Sequence, residues 1–165
     1  MAEGVPLTIA LTVLDVGAGC MQLRGAAVYL WHCDRDGGYS LYSDDVSGEN
    51  YLRGVQEAGR RRHVELRQRV PGGVLGPLAH IHFEVFAGLD EATGGGTPLV
   101  TSQIALPDHV CEQVYAAAGY EPSVRNLAQT SLESDNVFSD GHDQQLATVT
   151  GAVDTGFTAS LTVAV

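Results

Sequence analysis

Two histidines separated by one residue, His80 and His82, are the sharpest chemical feature of the sequence. They open an apolar run typical of a β-strand, in which residues i and i+2 point to the same face. Ile81 between them would then face the core. Two imidazoles on one face can bind one metal ion. Such a pair is equally typical of two ordinary strand histidines, so its meaning depends on the surrounding motifs.

Five blocks of sequence, with the histidine pair in the fourth, follow one another along the chain. They are VYLWHCD at 28–34, GGYS at 37–40, GENYLRGVQ at 48–56, HIHFEV at 80–85 and TSQ at 101–103. This ordered set resembles the intradiol ring-cleavage dioxygenases, in particular their small bacterial members. The resemblance extends from about residue 5 to residue 163.

The resemblance implies a non-haem Fe(III) centre held by two tyrosinates, two histidines and a water or hydroxide. It assigns Tyr39, His80 and His82 as metal ligands, and it places Gln103 beside the substrate. Tyr42 is the nearest alternative to Tyr39. A hard ferric ion suits phenolate oxygen, and imidazole also serves iron. A phenol has an ordinary pKa of about 10, but a bound cation strongly favours its anion.

The activity implied by the resemblance is O₂-dependent cleavage of catechol-type aromatic diols. The diol would bind as a dianion, displacing one tyrosinate and the hydroxide, and O₂ would attack the electron-rich ring. Opening between the two hydroxyls gives a muconate-type diacid without an external reductant. The resemblance also implies self-association, with a homodimer as the simplest assembly.

The chain departs from the family just before the two histidines. The family places its second tyrosine and an arginine there, in a stretch like PxxYSGRWPHIH, whereas residues 71–82 read PGGVLGPLAHIH. Val74 takes the tyrosine's position and Pro77 the arginine's. Valine cannot ligate a metal, and proline cannot stabilise a developing negative charge as the arginine is thought to. We therefore expect impaired activity.

Two origins of this departure stay open: a true variant, or a stretch read out of frame. Codons exist for residues 70–79 that, read one nucleotide later, encode FPAAYSGRWP, the family's own pattern. Residues 60–69 hold five of the nine basic residues, all of them arginine. We expect this arginine-rich stretch to be a solvated basic loop and poor strand material.

Two other functions compete with the enzyme. One is a catalytically dead β-sandwich module that binds aromatic compounds. The other is a different metalloprotein, in which His80 and His82 share a metal with Glu84 on the same strand face.

Alternating apolar residues predict the elements that position these groups. Leu7, Ile9, Leu11 and Val13 alternate with polar or small residues, which favours a strand over 7–14. Further strands are predicted over 26–33, 81–86, 99–106, 146–150 and 157–163, and one short helix over 107–115. The predicted class is all-β, a β-sandwich with long loops, in a single domain over 1–165.

Composition limits the partners. The formal net charge of −11 argues against nucleic acid and anionic membranes, since phosphate-binding surfaces need clustered positive charge. No apolar run reaches the length of a membrane span, and no leader peptide is predicted, so cytoplasmic and exported locations stay open. Cys20, Cys33 and Cys111 allow one disulfide in an exported protein. Residues 1–4 leave little room for the segment that family members carry before their first strand, so we expect an N-terminally shortened member.

Overall fold

A computed structural model describes residues 2–59, 63–73, 78–129, 131, 135, 137–138 and 141–165, and these form two stacked β-sheets. The first sheet contains β1 (Pro6–Asp15), β2 (Met21–Gln22), β5 (Val64–Arg69), β8 (Thr148–Ala152) and β9 (Gly156–Ala164). The second contains β3 (Ala27–Trp31), β4 (Arg53–Glu57), β6 (His80–Phe86) and β7 (Val100–Ala105). Three short α-helices lie in the connections between these strands: α1 (Leu89–Gly94), α2 (Asp108–Tyr115) and α3 (Glu121–Leu127).

Strand β1 lies at the centre of the first sheet. It pairs antiparallel with β5 and, at its far end, with β2. Its other edge pairs in parallel with β9, which continues antiparallel into β8. Ile9 and Leu11 of β1 are fully buried, as the period-two pattern predicted, because alternate residues of a strand face the opposite sheet.

The second sheet has the antiparallel order β4-β3-β6-β7. Leu30, Ile81 and Phe83 face the first sheet and are at most 1% exposed. They join β1 in one continuous apolar core. The neighbouring residues of β3 and β6 therefore project from the opposite face, where the histidine pair lies.

The predicted sandwich is confirmed, but the prediction of a single short helix is wrong. The helix over 107–115 is present as α2, whereas α1 and α3 are additional. Each of these two spans at most seven residues, too short to show a helical repeat in the sequence. In the described part of the chain no helix is long and apolar enough to cross a membrane, and all three cysteines are free thiols.

The prediction of a basic loop over 60–69 is wrong for its second half. Residues 64–69 form β5, in which buried Val64 and Gln68 face the core while Glu65 and Arg67 face solvent. Charges at every second position are compatible with a strand that has one wet face. Arg60, Arg61 and Arg62 lie outside the described residues. Strand β4 likewise lies in a stretch for which the sequence predicted no strand.

Helices α2 and α3 hold the chain that leads from β5 toward the histidines. Tyr115 donates a hydrogen bond to the carbonyl of Pro71, and Asn126 donates one of 2.6 Å to the carbonyl of Gly73. The backbone N–H of Gly73 donates to Ser123 Oγ at 3.0 Å. Residues 70–73 are therefore fixed from one side by helical side chains.

Candidate metal centre

His80 and His82 lie side by side on the outer face of β6, with 3.0 Å between their Nε2 atoms. His80 Nδ1 is 2.7 Å from the carbonyl of Leu78. A carbonyl can only accept, so Nδ1 carries the proton and Nε2 presents a lone pair. Two nitrogens that each lie about 2.1 Å from one metal, at a right angle, are about 3.0 Å apart. The spacing of the two imidazoles therefore fits two adjacent ligands of one metal ion.

Both imidazoles are neutral at pH 7. Burial lowers the pKa of His80, against the opposing effects of the Leu78 carbonyl and the charge of Asp135. Burial, then the neighbouring His80 and His32, lowers the pKa of His82 to about 4. A neutral imidazole is the form that binds a metal, so protons compete little with a metal for these two rings at pH 7.

The strand register sets a row of side chains across the second sheet. Trp31 of β3 and Gln103 of β7 are the direct partners of His82 on either side. The Trp31 ring stacks on the His82 ring at 4.9 Å with an interplanar angle of 13°. Gln103 thus lies next to His82, where directly paired residues have Cβ atoms within about 5.5 Å. The plane of the His82 imidazole is fixed by the indole.

The Tyr39 ring lies 6.2 Å from the His82 ring, centroid to centroid. Burial raises the pKa of Tyr39, and the nearby Cys33 thiol, which shares a hydrogen bond with it, adds to this effect. The phenol is therefore neutral unless a cation is present to favour its anion. Tyr42, the alternative ligand, has 73% of its surface exposed and its ring lies over the guanidinium of Arg53.

The turn before Tyr39 is fixed by the carboxylate of Asp34. One oxygen accepts the backbone N–H groups of Asp36 and Gly38, at 3.0 and 2.8 Å. The other accepts the hydroxyl of Tyr51 at 2.7 Å. This pattern is an Asx-type turn reinforced by a distant tyrosine, and it closes the chain tightly ahead of the phenol.

The residue after Tyr39 is fixed by Arg53 of β4. Its Nε donates to Ser40 Oγ at 3.0 Å and its Nη2 donates to the Ser40 carbonyl at 2.5 Å. Its Nη1 donates to the hydroxyl of Tyr29 at 2.6 Å. Because each guanidinium nitrogen has an acceptor, Arg53 anchors the loop to the sheet.

The segment just before His80 is held at Leu78. The Leu78 N–H donates to a carboxylate oxygen of Asp135, and Leu78 packs with Ala105 and Phe138 in a small apolar cluster. The Phe138 ring meets the His80 ring edge-on at 6.0 Å. Val74 and Pro77, at the positions of the family's tyrosine and arginine, lie outside the described residues.

Sequence reasoning missed His32, Asp135 and Phe138. His32 is 1% exposed, and its Nδ1 lies 2.7 Å from the Cys33 carbonyl. Burial lowers its pKa to about 4. Phe138 is the lone aromatic residue of the long polar stretch 121–145, and buried aromatics are common at points where such a stretch returns to the core. The isolated phenylalanine was therefore a signal in the sequence for a buried residue near the site. Nothing in the sequence pointed to Asp135.

Glu84 does not join the two imidazoles. It lies on the same face of β6, but its Oε1 accepts the hydroxyl of Thr101 at 3.4 Å. Among the described residues no group of three or more His, Cys, Asp or Glu is placed to hold one metal ion. Two imidazoles with a phenolate would be donors that suit a ferric ion.

Comparison with known proteins agrees with this arrangement at the level of the fold. No protein-family model and no curated protein matches the sequence. The solved intradiol ring-cleavage dioxygenase from Tetranychus urticae superposes with a TM-score of 0.82 at 21% identity, covering 99% of this chain and 81% of that one. The dioxygenase domain of a carbohydrate-binding fusion from Streptomyces sp. SirexAA-E gives 0.66 at 23% identity, with coverages of 99% and 81%.

Catechol 1,2-dioxygenase from Pseudomonas arvilla C-1 superposes with a TM-score of 0.65 at 20% identity. This chain is covered to 99% and spans about half, 53%, of that enzyme. The chain therefore has the fold of the intradiol dioxygenases, and the resemblance seen in the sequence blocks is confirmed for the architecture.

Proposed function

We propose that this protein binds a ferric ion through Tyr39, His80 and His82 and acts on catechol-type aromatic diols as an intradiol dioxygenase of reduced activity. The observation that carries the proposal is the pair of neutral imidazoles, with Nε2 atoms 3.0 Å apart, beside a buried phenol. The fold shared with solved intradiol dioxygenases supports it. The reduced activity follows from Val74 and Pro77.

When bound, a ferric ion would supply the Lewis acidity that makes a chelated catechol dianion reactive toward O₂. His80 and His82 need lose no proton to bind it, since both present neutral rings. Tyr39 must release its phenolic proton, so metal binding should release one proton per protein. Gln103, the strand partner of His82, would orient a diol hydroxyl through its side-chain amide.

The second candidate is a binding module without turnover. The observation that favours it is the pair of residues at positions 74 and 77, which lack the ligand and the positive charge of the family. Such a protein would bind the metal through the same three side chains, Tyr39, His80 and His82, and the aromatic diol would bind at that metal. Only the consumption of O₂ would then distinguish it from an enzyme.

The single tryptophan provides a direct assay. Trp31, the only one in the chain, stacks on His82, so a paramagnetic metal at His82 should quench its fluorescence. The protein is loaded with Fe(II) under nitrogen, exposed to air, and followed by tryptophan emission, visible absorption and O₂ uptake with catechol. We expect quenching and a visible tyrosinate-to-iron band in the native protein, both lost in His80→Ala.

Matched variants separate specific from incidental binding. His109→Ala removes an exposed imidazole on α2 and should leave both signals intact. Tyr39→Phe should remove the visible band, while Tyr42→Phe retains it. O₂ uptake supports the enzyme, and a band perturbed by catechol without O₂ uptake supports the binding module. Unchanged iron content in His80→Ala would reject the site.

A further inference from the structure

Asp135 is a buried carboxylate that the proposed chemistry does not use. It is 1% exposed. One oxygen accepts the N–H of Leu78, and the other accepts the N–H of Val137 at 2.7 Å. No lysine, arginine or histidine in the described part of the chain forms an ion pair with it. Burying a carboxylate without a cationic partner is costly, and the hydrogen bonds from these two backbone N–H groups offset part of that cost.

The contacts of Asp135 converge on His80 from two directions. Through Leu78, the carboxylate holds the residue whose carbonyl accepts the His80 Nδ1–H at 2.7 Å. Through the turn closed by the Val137 N–H, it sets the position of Phe138, whose ring meets the His80 ring at 6.0 Å. The backbone N–H of Phe138 also donates to the Asp135 carbonyl at 3.2 Å.

The tautomer of His80 decides whether it can bind a metal. With the proton on Nδ1, the His80 Nε2 lone pair accepts the Nε2–H of His82 at 3.0 Å in the metal-free protein and can bind a metal that takes the place of that proton; with the proton on Nε2, no lone pair is available there. A free imidazole exchanges between the two forms, and a fixed carbonyl acceptor at Nδ1 selects the first. The Leu78 carbonyl, together with the contact to His82, therefore favours the tautomer of His80 that can bind a metal.

We propose that Asp135 is a positioning residue that fixes Leu78, and through it holds His80 in the Nδ1–H tautomer with Nε2 directed at its ligand. The identity of that ligand rests on the proposed function, but the tautomer is a property of the metal-free protein. The two ideas can therefore fail separately.

The test uses ¹⁵N-histidine NMR of the metal-free protein at pH 7, where ring nitrogen shifts distinguish protonated from bare nitrogens. Native His80 should show a protonated Nδ1 and a bare Nε2. Asp135→Ala should give a mixture of tautomers. It should also weaken Co(II) binding, read by Trp31 fluorescence, by roughly 10- to 100-fold, the usual cost of losing such a supporting contact.

Two variants serve as controls. In Asp135→Asn the amide oxygen can still accept the Leu78 N–H, so this variant should keep the native tautomer and most of the affinity. Asp90→Asn removes an equal charge from an exposed position on α1 and should change neither signal. If Asp135→Ala does not fold, Asp135→Ser replaces it, because its side chain is too short to reach both amides.

Native tautomer and native affinity in a folded Asp135→Ala or Asp135→Ser would overturn the proposal and leave Asp135 a purely structural residue. A tautomer that changes in these variants supports it. If the tautomer changes but the native protein binds neither Co(II) nor iron, the proposed function fails while the positioning role of Asp135 stands.

Discussion

Two segments lead to the candidate metal centre, and they differ in the side chains that they carry. Residues 34–43 carry Tyr39 and are fixed on both sides of it, by Asp34 and by Arg53. Residues 70–80 lead to His80 and are also fixed at two points, at Gly73 by α3 and at Leu78 by Asp135. Between those two points, however, the sequence has Val74 and Pro77 in place of a ligand and a charge.

The difference shows that support and chemistry are separable. The contacts at Gly73 and Leu78 use backbone N–H groups, which any residue except proline supplies. Tyr39 and His80 act through side chains, which only a few residue types can replace. The backbone contacts that hold a segment can therefore stay the same when its reactive side chains differ.

Removing the Asp34 carboxylate should disrupt the segment that carries Tyr39 and give the largest effect. Asp34→Ala deletes three hydrogen bonds to a mostly buried charge, which should lower the free energy of unfolding by about 4 kcal/mol. Urea denaturation followed by Trp31 fluorescence measures it. Asp36→Ala, at a side chain 71% exposed, should cost less than about 0.5 kcal/mol. Equal losses in the two variants would contradict the role of Asp34.

Acid should destabilise the folded protein through His32, which lies just before the segment that carries Tyr39. His32 directly follows β3, and burial lowers its pKa to about 4. The unfolded chain therefore binds a proton near pH 6.5 that the folded chain accepts only near pH 4. The free energy of unfolding should thus fall as pH falls across that window, by roughly 3 kcal/mol for this group.

The contribution of His32 is isolated by comparing the metal-free native protein with His32→Gln in urea denaturation at several pH values. The variant should lose less stability between pH 7 and pH 4. Parallel pH profiles would show that the imidazole of His32 titrates normally in the folded state.

A tyrosine at position 74 and an arginine at position 77 would give the segment before His80 the ligand and the charge that it lacks. Val74→Tyr combined with Pro77→Arg should raise metal affinity about tenfold, equal to about 1.4 kcal/mol, and strengthen the visible band. Val74→Phe with Pro77→Arg supplies the ring without the oxygen and should do neither. No gain from the tyrosine would mean that position 74 does not reach the centre.

Sequencing the codons for residues 60–80 would decide between a variant and a frameshift.

The smallest effect is expected at Gln103, which belongs to neither segment. Gln103→Leu should leave metal affinity unchanged and weaken catechol binding by about 1 kcal/mol, the worth of one hydrogen bond. A catechol titration of the metal-loaded protein, followed at the visible band, measures this. Thr101→Val, two residues away on β7, is the matched control. A loss of metal affinity in Gln103→Leu would assign the residue a different role.

The strands with one clearly apolar face could be predicted from the sequence. In β1, apolar residues at every second position fix both the strand and its buried face. Strand β5 has the same alternation, with Val64, Leu66 and Gln68 turned inward. The strand was not predicted because the number of arginines in 60–69 was considered without asking which face of a strand each would occupy. The short helices α1 and α3 bury too little apolar surface to leave a periodic signal.

The candidate site was predictable only in part. The spacing of His80 and His82 is local, so the sequence determines that both face one side. The stacking of Trp31 on His82, and the position of Gln103 beside it, depend on the register between strands far apart in the chain. The contact of Asp135 with Leu78 joins residues 57 positions apart through a backbone N–H, and no side-chain type in the sequence indicates a backbone partner.

The parallel pairing of β1 with β9 has a consequence for how the protein folds. Eight successive residue pairs, from Leu7↔Phe157 to Leu14↔Ala164, join positions about 150 residues apart. Contacts this distant in sequence carry a high entropic cost of loop closure, which slows folding. A ribosome-bound chain cannot close the centre of its first sheet until β9 has emerged. Until then the free edge of β1 is open to pairing with other chains, so high expression at elevated temperature should favour aggregation over soluble protein.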